Sequence, residues 1–255
     1  MLRIHRPLLV PLRLGPRSLL PPAGKRWTLP AQLSTLPPSR MDESLLFLIN
    51  RQWTSPGLDL AMAAFSSFDV WLPFLVALAG WIVWRGSFRA RAFLGTALLV
   101  VALNDGVVAR TLKRVVDRPR PHQSHNDVRQ VELVRARPRL LALFQAPKTK
   151  LSRITLEPVA GRSFPSAHTM NTVSVAMVAA CLLGRRAAWA FLIPALVGYS
   201  RIYTGSHWPS DVVTSIFLGL GATLLWLVLA EWLWGKATAQ FWPRLQAAHP
   251  SLLAA

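Results

Sequence analysis

A single cysteine in 255 residues, Cys181, sits inside an apolar run, so no intrachain disulfide and no thiolate metal cage is available. Acid is almost as scarce, with eleven Asp and Glu against twenty-nine Lys and Arg, and none before Met41. Charged residues make up only 16% of the chain, too few for an ordinary soluble surface. From Met41 onward the sequence shows no strand-like alternation, no repeating period and no low-complexity tract. It also lacks the signature of any nucleic-acid-binding module, although its formal net charge is +18. The first forty residues lack the continuous apolar core of a secretory signal, because Pro11, Pro16, Pro21 and Pro22 break every candidate run.

Apolar residues are plentiful. Hydrophobic residues reach 52% and mean hydropathy is +0.34, which indicates an integral membrane protein. Eleven Trp against two Tyr fits that reading, since Trp collects at membrane interfaces. The positive charge lies mainly in segments flanking the apolar runs, so membrane lipids and phosphate outrank nucleic acid as partners.

Residues 1–40 carry seven Lys or Arg and many Pro, and they read as a disordered basic leader or a mis-assigned start, with Met41 the favoured beginning of the translated chain. Residues 41–235 read as one all-α membrane domain, and 236–255 as a C-terminal tail. Glu43 to Arg51 and Leu58 to Phe68 are too short to span and imply a helical segment at the interface or beneath the bundle. Five spans are expected: Val70 to Trp84, Ala92 to Ala109, Ala167 to Leu183, Ala187 to Tyr199 and Val212 to Trp234. The polar insertion 122–162 reads as a loop with one short helix near Leu140 to Phe144. Short loops with Arg85, Arg89, Arg91, Arg185 and Arg186, and then Lys236, mark one face as cytoplasmic by the positive-inside rule. In a bacterial inner membrane the opposite face looks to the periplasm or exterior.

Five spans bring three polar segments to that opposite face: Lys113 to Pro121, Pro165 to His168, and Ser200 to Asp211. Lys113, Arg120 and Arg201 are costly near a membrane unless they line a polar cavity or meet an anion. Snorkelling accounts for many Lys and Arg at helix ends, Arg114 and Arg118 among them, but suits Arg201 poorly. Ser166 reads as a helix N-cap whose following amides, including that of Ala167, attract anions, with His168 beside them. Ser-x-His before an apolar run is more often a cap alone. His207 and Asp211 meet on one face if the intervening turn is helical. The carboxylate then fixes the imidazole tautomer and leaves the other ring nitrogen free to attack, whereas the plainer reading is a helix-capping Asp and an interfacial His. Asp105, next to Asn104 inside a span, reads as a structural partner for Arg110 or Lys113. His122 reads as a loop residue.

In order and spacing these segments resemble the three-part signature of the type 2 phosphatidic acid phosphatase superfamily: Lys-x6-Arg-Pro, Pro-Ser-Gly-His and Ser-Arg-x5-His-x3-Asp. Lys113, Arg120-Pro121, Pro165-Ser166-x-His168 and Ser200-Arg201-x5-His207-x3-Asp211 fit it, with Ala167 in place of the usual Gly. The resemblance covers Met41 to Trp234. It implies a phosphatase acting on a lipid phosphate or polyprenyl diphosphate without metal or other cofactor. His207 would be the nucleophile, His168 the acid for the leaving oxygen and Asp211 the group orienting His207. Lys113, Arg120, Ser166, Ala167 and Arg201 would bind the phosphoryl group. A lipid phosphotransferase with the same site, and a catalytically silent scaffold or anion transporter, are the alternatives.

Overall fold

The computed structural model describes residues 37–154 and 162–253, so the expectations for the leader and for part of the insertion fall outside the described residues. Ser39 accepts from the Asp42 amide and starts α1 (Arg40–Phe47), which widens into a π turn over Leu48–Gln52. Ser55 and Pro56 start α2 (Pro56–Ser66), and extended backbone at Ser67 separates it from α3 (Phe68–Arg85). The two helices are therefore distinct. α4 (Phe88–Leu103), a π turn over Asn104–Ala109 and α5 (Arg110–Val115) form one apolar rod of 28 residues.

After a one-turn α6 (Pro121–Ser124), β1 (Arg129–Glu132) pairs antiparallel with β2 (Lys148–Leu151), and a 3₁₀ turn over Arg139–Phe144 lies between them. The short helix falls where it was expected. The hairpin corrects the reading of the insertion as a loop, while the all-α class of the bundle holds. Four residues per strand, with β2 exposed throughout, leave no apolar alternation to read.

α7 (Ala167–Leu183), a 3₁₀ turn over Arg185–Phe191, α8 (Leu192–Tyr203), α9 (Pro209–Phe241) and α10 (Pro243–Ala248) complete the bundle. Three helices are long and apolar enough to cross a membrane: Phe68–Arg85, Phe88–Val115 and Pro209–Phe241. α7 is apolar but shorter. α9 continues past Trp234, and its 33 residues extend about 50 Å, well beyond a hydrocarbon core of about 30 Å. Phe74, Trp81, Leu225 and Trp232 are exposed on α3 and α9, the outward apolar faces that lipid requires.

α7 is the central helix, packed against α4, α8 and α9. Val100, Val178, Leu182 and Leu227 fill the α4–α7–α9 contact. A Cβ at Gly219 would lie 2.9 Å from the Met170 carbonyl oxygen, so α9 approaches α7 at van der Waals distance there. Inside this layer Asn104 donates to Ser174 Oγ at 2.8 Å and accepts from Trp226 Nε1 at 2.9 Å. Its neighbour Asp105 forms no ion pair among the described residues, so the expected pairing with Arg110 or Lys113 is not made. A second core, containing Leu46, Met62, Val70, Val131, Tyr203 and Trp208, lies between α1, α2, the hairpin and the end of α8. It supports one end of the bundle, where the three polar segments meet.

Candidate active site

The turn from α8 to α9 carries His207. Thr204, Gly205, Ser206 and His207 fold back on the end of α8, with the amides of Ser206 and His207 both donating to the Arg201 carbonyl at 3.0 and 3.1 Å. Pro209 fits only the first turn of a helix, so α9 starts there and His207 stands just outside it. This explains a departure from the expected geometry. The (i, i+4) rule places two side chains together only within a helix, and His207 Nδ1 is 4.0 Å from Asp211 Oδ2, beyond hydrogen-bonding distance. Asp211 instead accepts from the Trp208 amide at 3.1 Å and caps the first turn of α9.

The partner of His207 is Ser163. Its carbonyl oxygen lies 2.5 Å from His207 Nδ1, and a carbonyl can only accept, so Nδ1 carries the proton and Nε2 keeps its lone pair. Ser163 Oγ donates to Asp211 Oδ2 in a short hydrogen bond. Asp211 thus reaches the imidazole through Ser163, a residue the sequence reading did not single out. His207 is 3% exposed. Burial, followed by the charges of Arg201 and Arg120, holds its pKa well below the usual 6.5, although the Ser163 carbonyl pulls the other way.

Asp211 is fully buried and also accepts from Arg118 Nη1 at 2.5 Å. Arg118 Nη2 meets Asp42 Oδ2 at 2.8 Å, and Ser210 binds both of these residues, its amide and hydroxyl donating to Asp42 and its hydroxyl accepting from Arg118. This overturns the reading of Arg118 as a snorkelling surface charge. The Arg118-Pro119-Arg120-Pro121 segment is extended, which sends Arg118 inward and leaves Arg120 at the cavity wall. Asp42 lies outside the motifs, in a helix that nothing marked as part of the site.

Arg120, His168 and Arg201 line one cavity of about 920 Å³, together with Ser206 and His122. His122 is therefore a wall residue as well as a loop residue, and its Nδ1 lies 3.0 Å from the Gly205 carbonyl. Arg201 is anchored by Ser66 through that residue's carbonyl and hydroxyl. Ser166 is fully buried behind this surface. Its hydroxyl pairs with Thr169 Oγ1 at 3.0 Å rather than capping an amide, and its own amide donates to Ser215 Oγ at 2.8 Å. The amides of Ala167, His168 and Thr169 have no acceptor among the described residues, as expected for the first turn of a helix. Lys113 ends α5 and is not among the residues lining the cavity. Among the described residues no three His, Cys, Asp or Glu side chains converge as a metal site would require.

His207 is buried and is not among the cavity-lining residues, but Ser206 before it is, and the charges of the lining residues Arg201 and Arg120 reach its ring. A basic cavity, free helix-end amides and an imidazole lone pair are the groups that hold a phosphoryl group and attack it. A family model described as the PAP2 superfamily matches residues 93–234. The chain belongs to the PAP2 superfamily. It is similar to the lipid A 4'-phosphatase of Bacteroides thetaiotaomicron, 25% identical over 188 residues, which cover 71% of this chain and 73% of that protein. It is also similar to undecaprenyl-diphosphatase BcrC of Bacillus subtilis, 37% identical over 68 residues, or 26% of this chain and 35% of that one. The solved structure of Aquifex aeolicus LpxE is 25% identical, with a TM-score of 0.49, over 74% of this chain and 96% of that chain. Membership makes this PAP2 protein a membrane lipid phosphatase, from a superfamily of metal-independent hydrolases that work through a phosphohistidine.

Proposed function

We propose that His207 Nε2 is the nucleophile, and that the substrate is a lipid phosphomonoester or a polyprenyl diphosphate presented from the outer face of a bacterial inner membrane. The observation that carries this reading is the 2.5 Å contact of His207 Nδ1 with the Ser163 carbonyl, which keeps Nε2 unprotonated in a buried imidazole within the field of Arg201 and Arg120. Arg120, Arg201 and Lys113 supply positive charge, and the free amides of the α7 first turn, from Ala167 to Thr169, supply donors for phosphate oxygens, with Ser166 placing that turn through its bonds to Thr169 and Ser215. Nε2 bonds to phosphorus as the bond to the leaving oxygen breaks, and His168 gives that oxygen its proton. His168 then takes a proton from water, the water oxygen attacks phosphorus, and the P–N bond breaks to release inorganic phosphate.

The names of the two similar enzymes, a lipid A phosphatase and an undecaprenyl diphosphatase, support a lipid-anchored phosphate over a soluble one. Arg85, Arg89, Arg91, Arg185, Arg186 and Lys236 support a cytoplasmic assignment for the end opposite the site.

The test is phosphoenzyme trapping. Purified protein in detergent, mixed with a terminally labelled lipid phosphate and quenched in base, should retain label that acid removes, and His207→Ala should lose both label and turnover. Full turnover by His207→Ala would remove His207 from the role assigned here.

A further inference from the structure

The cavity is larger than one phosphate needs. At about 920 Å³ it lies near the top of the range for ligand sites, and Arg120, Arg201 and His168 occupy only one part of its wall. Much of the remainder comes from the hairpin and the 3₁₀ turn within the insertion. Gln130 pairs with Lys150 and Glu132 with Lys148, and residues two apart share a face, so these four side chains form one surface. All four line the cavity, as do Arg135 and Arg139.

This wall is built rather than incidental. Asn50 donates to the carbonyls of Arg129 and Tyr203 at 2.9 and 2.6 Å and accepts from the Arg129 amide at 2.9 Å. Arg129 binds both carboxylate oxygens of Asp59, at 2.7 and 2.9 Å. Arg139 donates to the Val134 carbonyl at 2.6 Å. The hairpin is thereby fixed to α1, α2 and the end of α8. Arg135, Lys148 and Lys150 form no ion pair and no side-chain hydrogen bond among the described residues, and Glu132 opposite Lys148 is the hairpin's own carboxylate in the cavity. Asp69 and Glu132 are the carboxylates of the cavity wall, against Arg120, Arg135, Arg139, Lys148, Lys150 and Arg201, so positive charge faces the cavity with too little acid to neutralise it.

We infer that Arg135, Lys148 and Lys150 form a second anion-binding pole, which selects lipids whose headgroup carries a further phosphate besides the one removed at His207. This rests on the reading of His207 and the catalytic pole given above. A lipid with one phosphate engages Arg120 and Arg201 alone. A headgroup bearing two reaches both poles of the same cavity and gains affinity without any change at the reacting phosphorus.

The experiment compares a bis-phosphorylated disaccharide lipid with its mono-phosphorylated counterpart of identical acyl chains, both in neutral detergent micelles. The ratio of kcat/KM for the two should fall about tenfold, mainly through KM, in Arg135→Ala/Lys148→Ala/Lys150→Ala. Glu132→Gln, which removes the opposing carboxylate, should raise the ratio by about twofold. Arg185→Ala/Arg186→Ala, at the other end of the bundle, should leave it in place. A ratio unmoved by the triple substitution overturns the proposal. So does an effect seen only in anionic vesicles, which would make the hairpin a membrane-docking surface. If wild-type protein releases phosphate from neither lipid, the catalytic reading fails, and the pole is judged separately by equilibrium binding of the two lipids to His207→Ala protein with and without the triple substitution.

Discussion

His207 Nδ1 lies 2.5 Å from the carbonyl oxygen of Ser163, whereas the Asp211 carboxylate four residues along the chain stays 4.0 Å from the ring. Backbone therefore sets the tautomer, and the carboxylate sets the backbone through Ser163 Oγ. A neutral carbonyl fixes the proton on Nδ1 but stabilises imidazolium less than a carboxylate in contact would. On the proposed mechanism Asp211 is a positioning residue.

Ser163→Ala keeps the carbonyl and deletes the hydroxyl, so it isolates the Asp211 link. The expected result is a fall in kcat of about tenfold with KM changed by less than about twofold, because substrate still meets the same cations. Asp211→Asn should cost more, about a hundredfold, since it also weakens the Arg118 contact. Both residues act on His207 along one path, so the double variant should be no slower than Asp211→Asn alone. Multiplicative losses in steady-state kinetics would show two independent roles.

Arg118 holds two buried carboxylates, Asp42 and Asp211, at 2.8 and 2.5 Å. Removing the cation leaves both uncompensated, and breaking a buried pair from one side costs about 3–5 kcal/mol. Arg118→Ala should therefore lower the unfolding midpoint in detergent markedly. Asp42→Asn, which leaves the Arg118–Asp211 contact in place, should be milder. If Arg118→Ala unfolds like wild type while losing activity, the network serves the site alone and not the fold.

The residues of the proposed site stand out in the sequence because phosphoryl chemistry requires those residue types at fixed spacing. Lys113, Arg120, Ser166, His168, Arg201, His207 and Asp211 stand at one end of the bundle, and of the five expected spans only those in α3, the α4–α5 rod and α9 are legible from apolar length, α7 and α8 being shorter. Asp42, Ser163 and Arg118 were not legible. Asp42 and Ser163 act across 168 and 48 positions of sequence through hydrogen bonds to Ser210 and Asp211, and no periodicity records such pairings. Arg118 was readable only as one more basic residue at a helix end, since burial against carboxylates is a tertiary fact. The hairpin was hidden for a different reason: its strands are short, Val131 is the buried residue of β1, β2 is exposed throughout, and Asn50, Asp59 and Arg129 add polar anchors that no periodicity records.

Acid should weaken this protein before it protonates His207. Burial and the charges of Arg201 and Arg120 depress the His207 pKa below 6.5 in the fold, so as pH drops through 6.5 the unfolded chain gains a proton that the folded one does not. Stability then falls with falling pH, starting near 6.5. Asp42 adds to the trend at lower pH. Burial alone would raise its pKa, but the Ser210 and Arg118 hydrogen bonds outweigh it and lower the value, so its contribution is lost as pH falls through the depressed pKa, below 3.8. The unfolding midpoint of wild-type protein should decline between pH 7 and 5, and His207→Gln should flatten that decline. The acid limb of kcat/KM due to His207 should lie well below 6.5.

Gly205 tests whether the turn carrying His207 must be built as it is. Its φ is +67°, and a Cβ there would lie 2.7 Å from the Arg129 carbonyl oxygen and 2.7 Å from Val128 Cγ1. Both obstacles are fixed, one being backbone and the other a fully buried side chain. Gly205→Ala must therefore displace either the start of β1 or the turn itself, and the turn holds His122 through its carbonyl and precedes His207 by two residues. The expected cost is about 1–3 kcal/mol, with kcat reduced at least about tenfold. Gly57→Ala is the matched control. That glycine lies in the first turn of α2 with open space around its Cβ and no positive φ, so alanine should be neutral or stabilise by a few tenths of a kcal/mol up to about 1. Equal activity in the two variants would mean that the turn tolerates movement and that the Ser163 contact alone sets the position of His207.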